Sequence, residues 1–228
     1  MISLQMGDRE VRRDLITDQV SFGKGVTIYH EGDPARHWYE VLSGIVRTCR
    51  FLGDGHRQLI GFFYPNDVVG VGGADYGESA EAVTEVVLRR IPASPEAQSS
   101  ASDRRDLALE KALESARRSI FLFGHRTATK RVAAFLITMA ERTGARADVQ
   151  LPMTRSDIAD HLNLTLHTVS RTISDFARKH LIALDSPQHL RILDLEGLRM
   201  VSGESDAQGA FHVYSLPPQD GLRLCDNE

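Results

Sequence analysis

The sequence predicts an α+β protein in three parts: an antiparallel β sandwich or barrel, a long helix, and a helix-turn-helix with a two-stranded wing. Three observations predict it. From Val20 to Pro92, short β-rich runs alternate with turn residues. From Asp103 to Phe123, apolar residues recur at helical spacing with almost no β-branched residues between them. From Leu151 to Asp194, two short amphipathic segments precede the paired runs LIAL and LRIL.

The β-rich runs are VTIY (26–29), WYEVL (38–42), IVRTCRF (45–51), QLIGFF (58–63) and VVLRRI (86–91). Between them lie EGDPA, SG, GDG, YPND and VGG, all built on residues that supply turn geometry. Strands at this spacing form a small antiparallel sandwich or barrel. FLGDGHRQL gives the strongest hairpin signal in the chain. PASPEAQSSAS then forms a polar connection.

In the helix that follows, Leu109, Leu113, Ala116, Ile120 and Phe123 step by 4, 3, 4 and 3, the seam of two heptads. Charged residues fill most of the other faces. The seam either packs on its own β domain or pairs with its twin in a homodimer, and the in-step positions favour the twin. Thr129–Arg142 is a further helix, with Val132, Phe135, Leu136 and Met139 on its apolar face.

Thr154 or Ser156 caps the next short helix, which carries Ile158, Ala159 and Leu162. A polar break, Asn163 to Thr165, precedes a second helix carrying Val169, Ile173 and Phe176. Asn163 stands at the turn position that favours a left-handed backbone. With those apolar positions buried, Leu166, His167, Ser170 and Arg171 face outward on the N-terminal half of the second helix. In a helix-turn-helix, that half reaches base edges in the major groove. Arg171 suits guanine O6 and N7, a contact worth about 1–3 kcal/mol of discrimination. Ser170 suits a base or a phosphate, and Leu166 a thymine methyl. Thr154, Ser156, Thr165 and Thr168 suit phosphates that fix register.

Charge distribution agrees with double-stranded DNA as partner. The net charge is −4, but residues 126–201 carry 11 Lys/Arg against 8 Asp/Glu, with four histidines besides. Residues 1–102 carry 10 against 14, so basicity concentrates where the helix-turn-helix lies. No run reaches the length of a membrane span, and MISLQMGDREVRRD lacks the apolar stretch of a secretory signal. A cytoplasmic protein without a membrane part is expected. The two cysteines, Cys49 and Cys225, have no CxxC spacing, which argues against a disulfide framework, a metal site or an iron–sulfur cluster.

The order of EGDPA, YEVLSGIVRTCRFLGDGHRQLIGFFYPNDVVG, a long helix and TRSDIADHLNLTLHTVSRTISDF resembles the CRP/FNR superfamily of bacterial transcription regulators, on its FixK/FNR side. The resemblance covers roughly residues 20–200. It implies a cyclic-nucleotide-binding-type β-roll (a jelly roll), a dimerisation helix and a winged helix-turn-helix. It implies a homodimer that binds a pseudo-palindromic promoter site, recruits RNA polymerase and activates transcription. The division expected is 1–102 for the β-roll, 103–125 for the dimerisation helix, 126–201 for the DNA-binding domain and 202–228 for a tail. The recognition motif on this side of the family is Glu-x-x-Ser-Arg. Ser170 and Arg171 match it, while His167 stands where the glutamate belongs.

Such a β-roll raises the question of a ligand. Gln58 to Leu88 contains no Lys or Arg, while Asp67, Asp75, Glu78, Glu81 and Glu85 are acidic. A buried cyclic phosphate needs a cation or ordered donors, so cAMP and cGMP are not expected. The Gly-Glu pair of the nucleotide-binding members is Gly70–Val71 here, and their Arg-Ser pair aligns with Tyr76–Gly77. None of the nine histidines stands in a distinctive context, and haem stays an open alternative. Cys49 is either a small packing residue on its strand or a redox switch. As an enzyme the chain does poorly: SFGKG is not a phosphate loop, and neither HExxH nor GxSxG occurs. The competing class is a dimeric interaction module with a degenerate helix-turn-helix that binds no DNA.

Overall fold

A computed structural model describes residues 18–93, 106–113, 116–117, 127–143 and 147–203. They fall into two compact units, one holding the β domain and the segment Pro152–His167, the other holding residues 125–151 and 168 onward.

In the first unit, eight strands form two four-stranded antiparallel sheets. One has the order β1 (Asp18–Phe22), β8 (Val86–Pro92), β3 (His37–Ser43), β6 (Val68–Val69). The other has the order β2 (Thr27–Tyr29), β7 (Ser79–Ala82), β4 (Val46–Phe51), β5 (Arg57–Phe63). Alternation buries Tyr39 and Val41 of β3 and Val86 and Leu88 of β8, the period of a sheet with one face on a core. The GDG hairpin joins β4 to β5 as the sequence predicts, from Val46↔Phe63 to Phe51↔Arg57. Gly44, in the β3–β4 turn, has φ +82°, and a Cβ there would lie 2.1 Å from the Glu85 carbonyl oxygen.

β7 carries no apolar run in the sequence, yet it runs between β2 and β4 with Ala80 and Ala82 fully buried. Thr48 and Cys49 are each 0 % exposed, and the register shift beside them leaves the extra residue, Ile60, on β5.

Residues 106–113 and 116–117 are helical. Ala108 and the half-buried Ala112 pack against Trp38, Val68 and Ile91 of the β domain. Leu109, Leu113 and Ala116 lie on exposed positions, with 43 % and 53 % of the two leucines accessible. The small residues, not the leucine seam, therefore dock this helix on its own β domain. Ile120 and Phe123 lie outside the described residues.

The second unit contains α1 (Ala128–Thr143), which buries Val132, Phe135, Leu136 and Met139 and packs on α4 (Leu195–Ser202). Asp194 caps α4 by accepting the Gly197 N–H at 2.8 Å. The wing is a hairpin of β10 (Ile182–Ser186) and β11 (His189–Ile192), widened by β9 (Asp148–Gln150) to the order β10-β11-β9. The third strand is three residues of mixed polarity, too short to declare itself in the sequence.

Candidate nucleic-acid interface

Two helices joined by a short turn carry the candidate residues: α2 (Arg155–Leu162) and α3 (Leu166–Arg178). Thr154 caps α2 in the extended conformation, and Ser156 lies inside the helix. The Thr154 hydroxyl accepts the Asp157 N–H at 3.1 Å and donates to Asp157 Oδ2 at 2.8 Å. The same Oδ2 accepts the Thr154 N–H at 3.0 Å, completing a capping box. Thr154 itself is exposed, so its hydroxyl lies at the surface while it bonds Asp157. Ser156 and Thr165 are exposed, and Thr168 is half-buried.

Asn163 ends α2 in the left-handed region, at φ 51° and ψ 53°. Its N–H and that of Leu164 both return to the Ala159 carbonyl. Those bonds satisfy the Ala159 carbonyl, one of the last of the helix, and turn the chain out of it.

α3 divides cleanly by face. Val169, Thr172, Ile173 and Phe176 are buried, and Thr172 returns its hydroxyl to the Thr168 carbonyl at 2.8 Å. Leu166, His167, Ser170 and Arg171, at i, i+1, i+4 and i+5, are all exposed along the opposite face. Leu166 is 52 % accessible, an apolar side chain held in water at the start of a helix. The structure thus brings the four base-reading candidates together on one edge.

Cys49 lies away from the surface. Its thiol is fully buried in β4, and burial pushes its pKa up. It packs as a small apolar residue.

The interior of the β domain also bears on ligands. Tyr29 and Tyr76 stack with centroids 3.8 Å apart, and Tyr39 stacks on Tyr29 at 5.9 Å. The turn at Gly70 presses on the same rings, since a Cβ there would lie 2.9 Å from Tyr76 Cε1. Just before β7 stands Glu78, whose carboxyl is raised by burial, with a Thr48 hydrogen bond and the Arg50 charge opposing part of that rise.

Sequence reasoning missed one feature of α2. His161 is buried, its Nδ1 lies 3.4 Å from the Leu59 carbonyl oxygen, and its ring meets Phe62 edge-on at 5.3 Å. Burial pushes its pKa from 6.5 down to about 4. The folded value lies below the unfolded one, so the unfolded chain binds a proton that the folded chain refuses. Stability is full above pH 6.5 and falls between 6.5 and about 4, by at most about 1.4 kcal/mol per pH unit. Thermal melts across this window should show that slope, and His161→Gln should flatten it. For Asp157, burial alone would raise the pKa, but the bonds from Thr154 and the charge of Arg47 lower it on balance. Its own loss of stability therefore falls below the ordinary carboxylate range, under the window of His161.

Comparison with known proteins places these parts. Residues 130–201 match a family described as Crp-like helix-turn-helix domain, and residues 19–96 match the cyclic nucleotide-binding domain. The nitrogen fixation regulation protein FixK of Rhizobium meliloti is 36 % identical over 180 residues, covering 78 % of this chain and 84 % of that protein. The transcriptional activator protein FnrA of Stutzerimonas stutzeri is 30 % identical over 214 residues, covering 89 % and 87 %. The structure of FixK2 from Bradyrhizobium japonicum superposes with a TM-score of 0.76 at 30 % identity, over 82 % of this chain and 98 % of that one.

Proposed function

The chain belongs to the CRP/FNR superfamily, on its FixK/FNR-like branch, and from that premise we propose how this regulator reads and uses DNA. It is a DNA-binding transcription regulator, not an enzyme. α3 enters the major groove, Arg171 pairs with guanine, Ser170 takes a base or phosphate, and Leu166 meets a thymine methyl. Thr154, Ser156, Thr165 and Thr168 hold flanking phosphates. The observation that carries this reading is the exposed edge of Leu166, His167, Ser170 and Arg171 directly after the Asn163 turn.

The protein acts as a homodimer on a pseudo-palindromic site, through the leucine face of the helix containing Leu109, Leu113 and Ala116, extended by Ile120 and Phe123. Relatives named as activators support activation, with RNA polymerase as the partner recruited in the cytoplasm. The β-roll works without a cyclic nucleotide, because its own tyrosine rings occupy the interior at the Gly70 turn.

Site selection with the full-length protein tests the reading. It should return a two-fold symmetric sequence with a guanine in each half-site. His167→Glu should move the preferred half-site at one further position towards that of FixK/FNR proteins. A neutral imidazole offers one donor and one acceptor, while a carboxylate only accepts, as from cytosine N4. An unchanged site would mean that His167 touches no base, and no symmetric site at all would defeat the reading.

A further inference from the structure

Two arginines of the β-roll reach the first helix of the helix-turn-helix. Arg47 of β4 donates from Nη1 to Asp157 Oδ1 at 2.8 Å. Arg57 of β5 donates from Nη2 to the same oxygen at 2.7 Å. Arg57 also grips Asp160, one turn's reach along α2, with Nε at 3.1 Å and Nη2 at 2.7 Å from Oδ2. Arg47 is braced in turn by Glu81 of β7, with Nε at 2.8 Å and Nη2 at 2.6 Å from Oε2. The contact continues through His161, which lies on Phe62 and the Leu59 carbonyl of β5.

We propose that Arg47 and Arg57 are positioning residues for DNA recognition, a clamp on the β-roll that holds α2 through Asp157 and Asp160. The proposal rests on the DNA-reading function set out above and names residues outside the helix-turn-helix that it requires.

Four observations carry it. First, Asp157 is the hub: one oxygen takes both guanidiniums, and the other takes the two Thr154 donors of the capping box. Its side chain is 4 % exposed, so without the arginines it is a buried charge lacking most of its compensation. The start of α2 would then rearrange, and with it the turn and helix that follow.

Second, the arginines are spent on protein partners. Their side chains are 19 % and 24 % exposed, with the donors aimed at carboxylates, so they do not serve as phosphate contacts. Third, Asp157 and Asp160 put two negative charges in a helix that meets a polyanion, and the paired guanidiniums offset that repulsion. Fourth, the clamp is closed while Leu166, His167, Ser170 and Arg171 are all exposed. A closed clamp is thus compatible with reading, which makes it a support for binding rather than an autoinhibitory contact.

A double-mutant cycle in the full-length protein tests this by DNA binding across a salt series, well below the unfolding transition. The probe is a promoter duplex carrying the selected site. Arg57→Ala and Asp160→Ala should each weaken binding about tenfold, and the double variant should be no weaker than the worse single. The slope of log affinity against log salt should stay at the wild-type value. Electrostatics alone makes the opposite forecast: deleting Asp160 near DNA tightens binding, and deleting a phosphate-contacting arginine lowers the slope by about one. That pattern, or singles that bind like wild type, would overturn the clamp. If Arg57→Ala does not fold, Asp160→Asn decides alone: weaker binding supports the clamp, and equal or tighter binding overturns it. A wild-type protein without sequence preference would instead defeat the DNA-reading function, before any variant is compared.

Discussion

Arg171→Ala should abolish discrimination of the site while leaving the fold intact. The side chain is exposed on α3, and its removal opens no cavity and strands no buried partner. A bidentate guanine contact discriminates by about 1–3 kcal/mol, and a two-fold complex makes it twice, so about 2–6 kcal/mol is lost. This corresponds to roughly thirty-fold to twenty-thousand-fold in affinity for the specific site. Binding to unrelated duplex should change little, and the salt slope should hold, because a base contact and not a phosphate contact has gone. Arg171→Lys should not restore the site, since an ammonium lacks the planar fork that spans O6 and N7. Specific and non-specific affinities measured side by side check the whole pattern. A retained specific affinity in Arg171→Ala would remove the central residue of the proposed interface.

Leu109→Glu combined with Leu113→Glu should produce a folded monomer. Both leucines are substantially exposed in the protomer, so the substitution costs the single chain little. In a paired helix the same change buries two carboxylates against apolar neighbours on each side of the seam, which no partner there neutralises. Sedimentation should report the monomer mass. Loss of the linked second half-site should lower affinity for the full site by about a hundred-fold to ten-thousand-fold. The packing of Ala108 and Ala112 on Trp38, Val68 and Ile91 should survive, keeping the β domain's melting transition in place. A double variant that still sediments as a dimer would move the interface off this seam.

The parts that the sequence made legible are those where periodicity and capping agree. The GDG hairpin, the apolar face of α1 and the left-handed Asn163 all stand where residue chemistry alone puts them, and the cap at Thr154 is one of the two that the sequence offers. Each depends on neighbours within a few positions, and local interactions leave local marks. β7 escaped because Ser79–Ala82 holds only small or acidic residues, and its strand conformation is imposed by β2 and β4 on either side. The tyrosine stack escaped because Tyr29, Tyr39 and Tyr76 meet only after three separate strands or turns have closed.

The same holds at the interface. The outward edge of α3 follows from which positions its apolar residues occupy. The pairing of Arg47 and Arg57 with Asp157 and Asp160 does not, since about a hundred residues of chain separate the partners. A local signal did exist for half of it: Thr154 and Asp157 stand three apart, the spacing of a capping box, which marks Asp157 as buried in a helix start. Nothing local says that the carboxylate has further ligands.

The compact unit that contains the β-roll also contains Pro152–His167, whereas the chain on both sides of that segment belongs to the other unit. Covalent order and packing order therefore disagree, and this limits how the molecule can be taken apart. A fragment begun at residue 126 keeps the wing and the reading edge but discards Leu59, Phe62 and both guanidiniums. It would carry into solution a histidine whose burial had kept it neutral and two carboxylates stripped of their counter-charge, on the helix next to the reading edge. A chimera grafting a foreign helix-turn-helix onto this β-roll inherits the converse fault, two arginines with no acids to meet. The smallest exchangeable part is then not the winged helix but the winged helix together with the strands that hold its first turn.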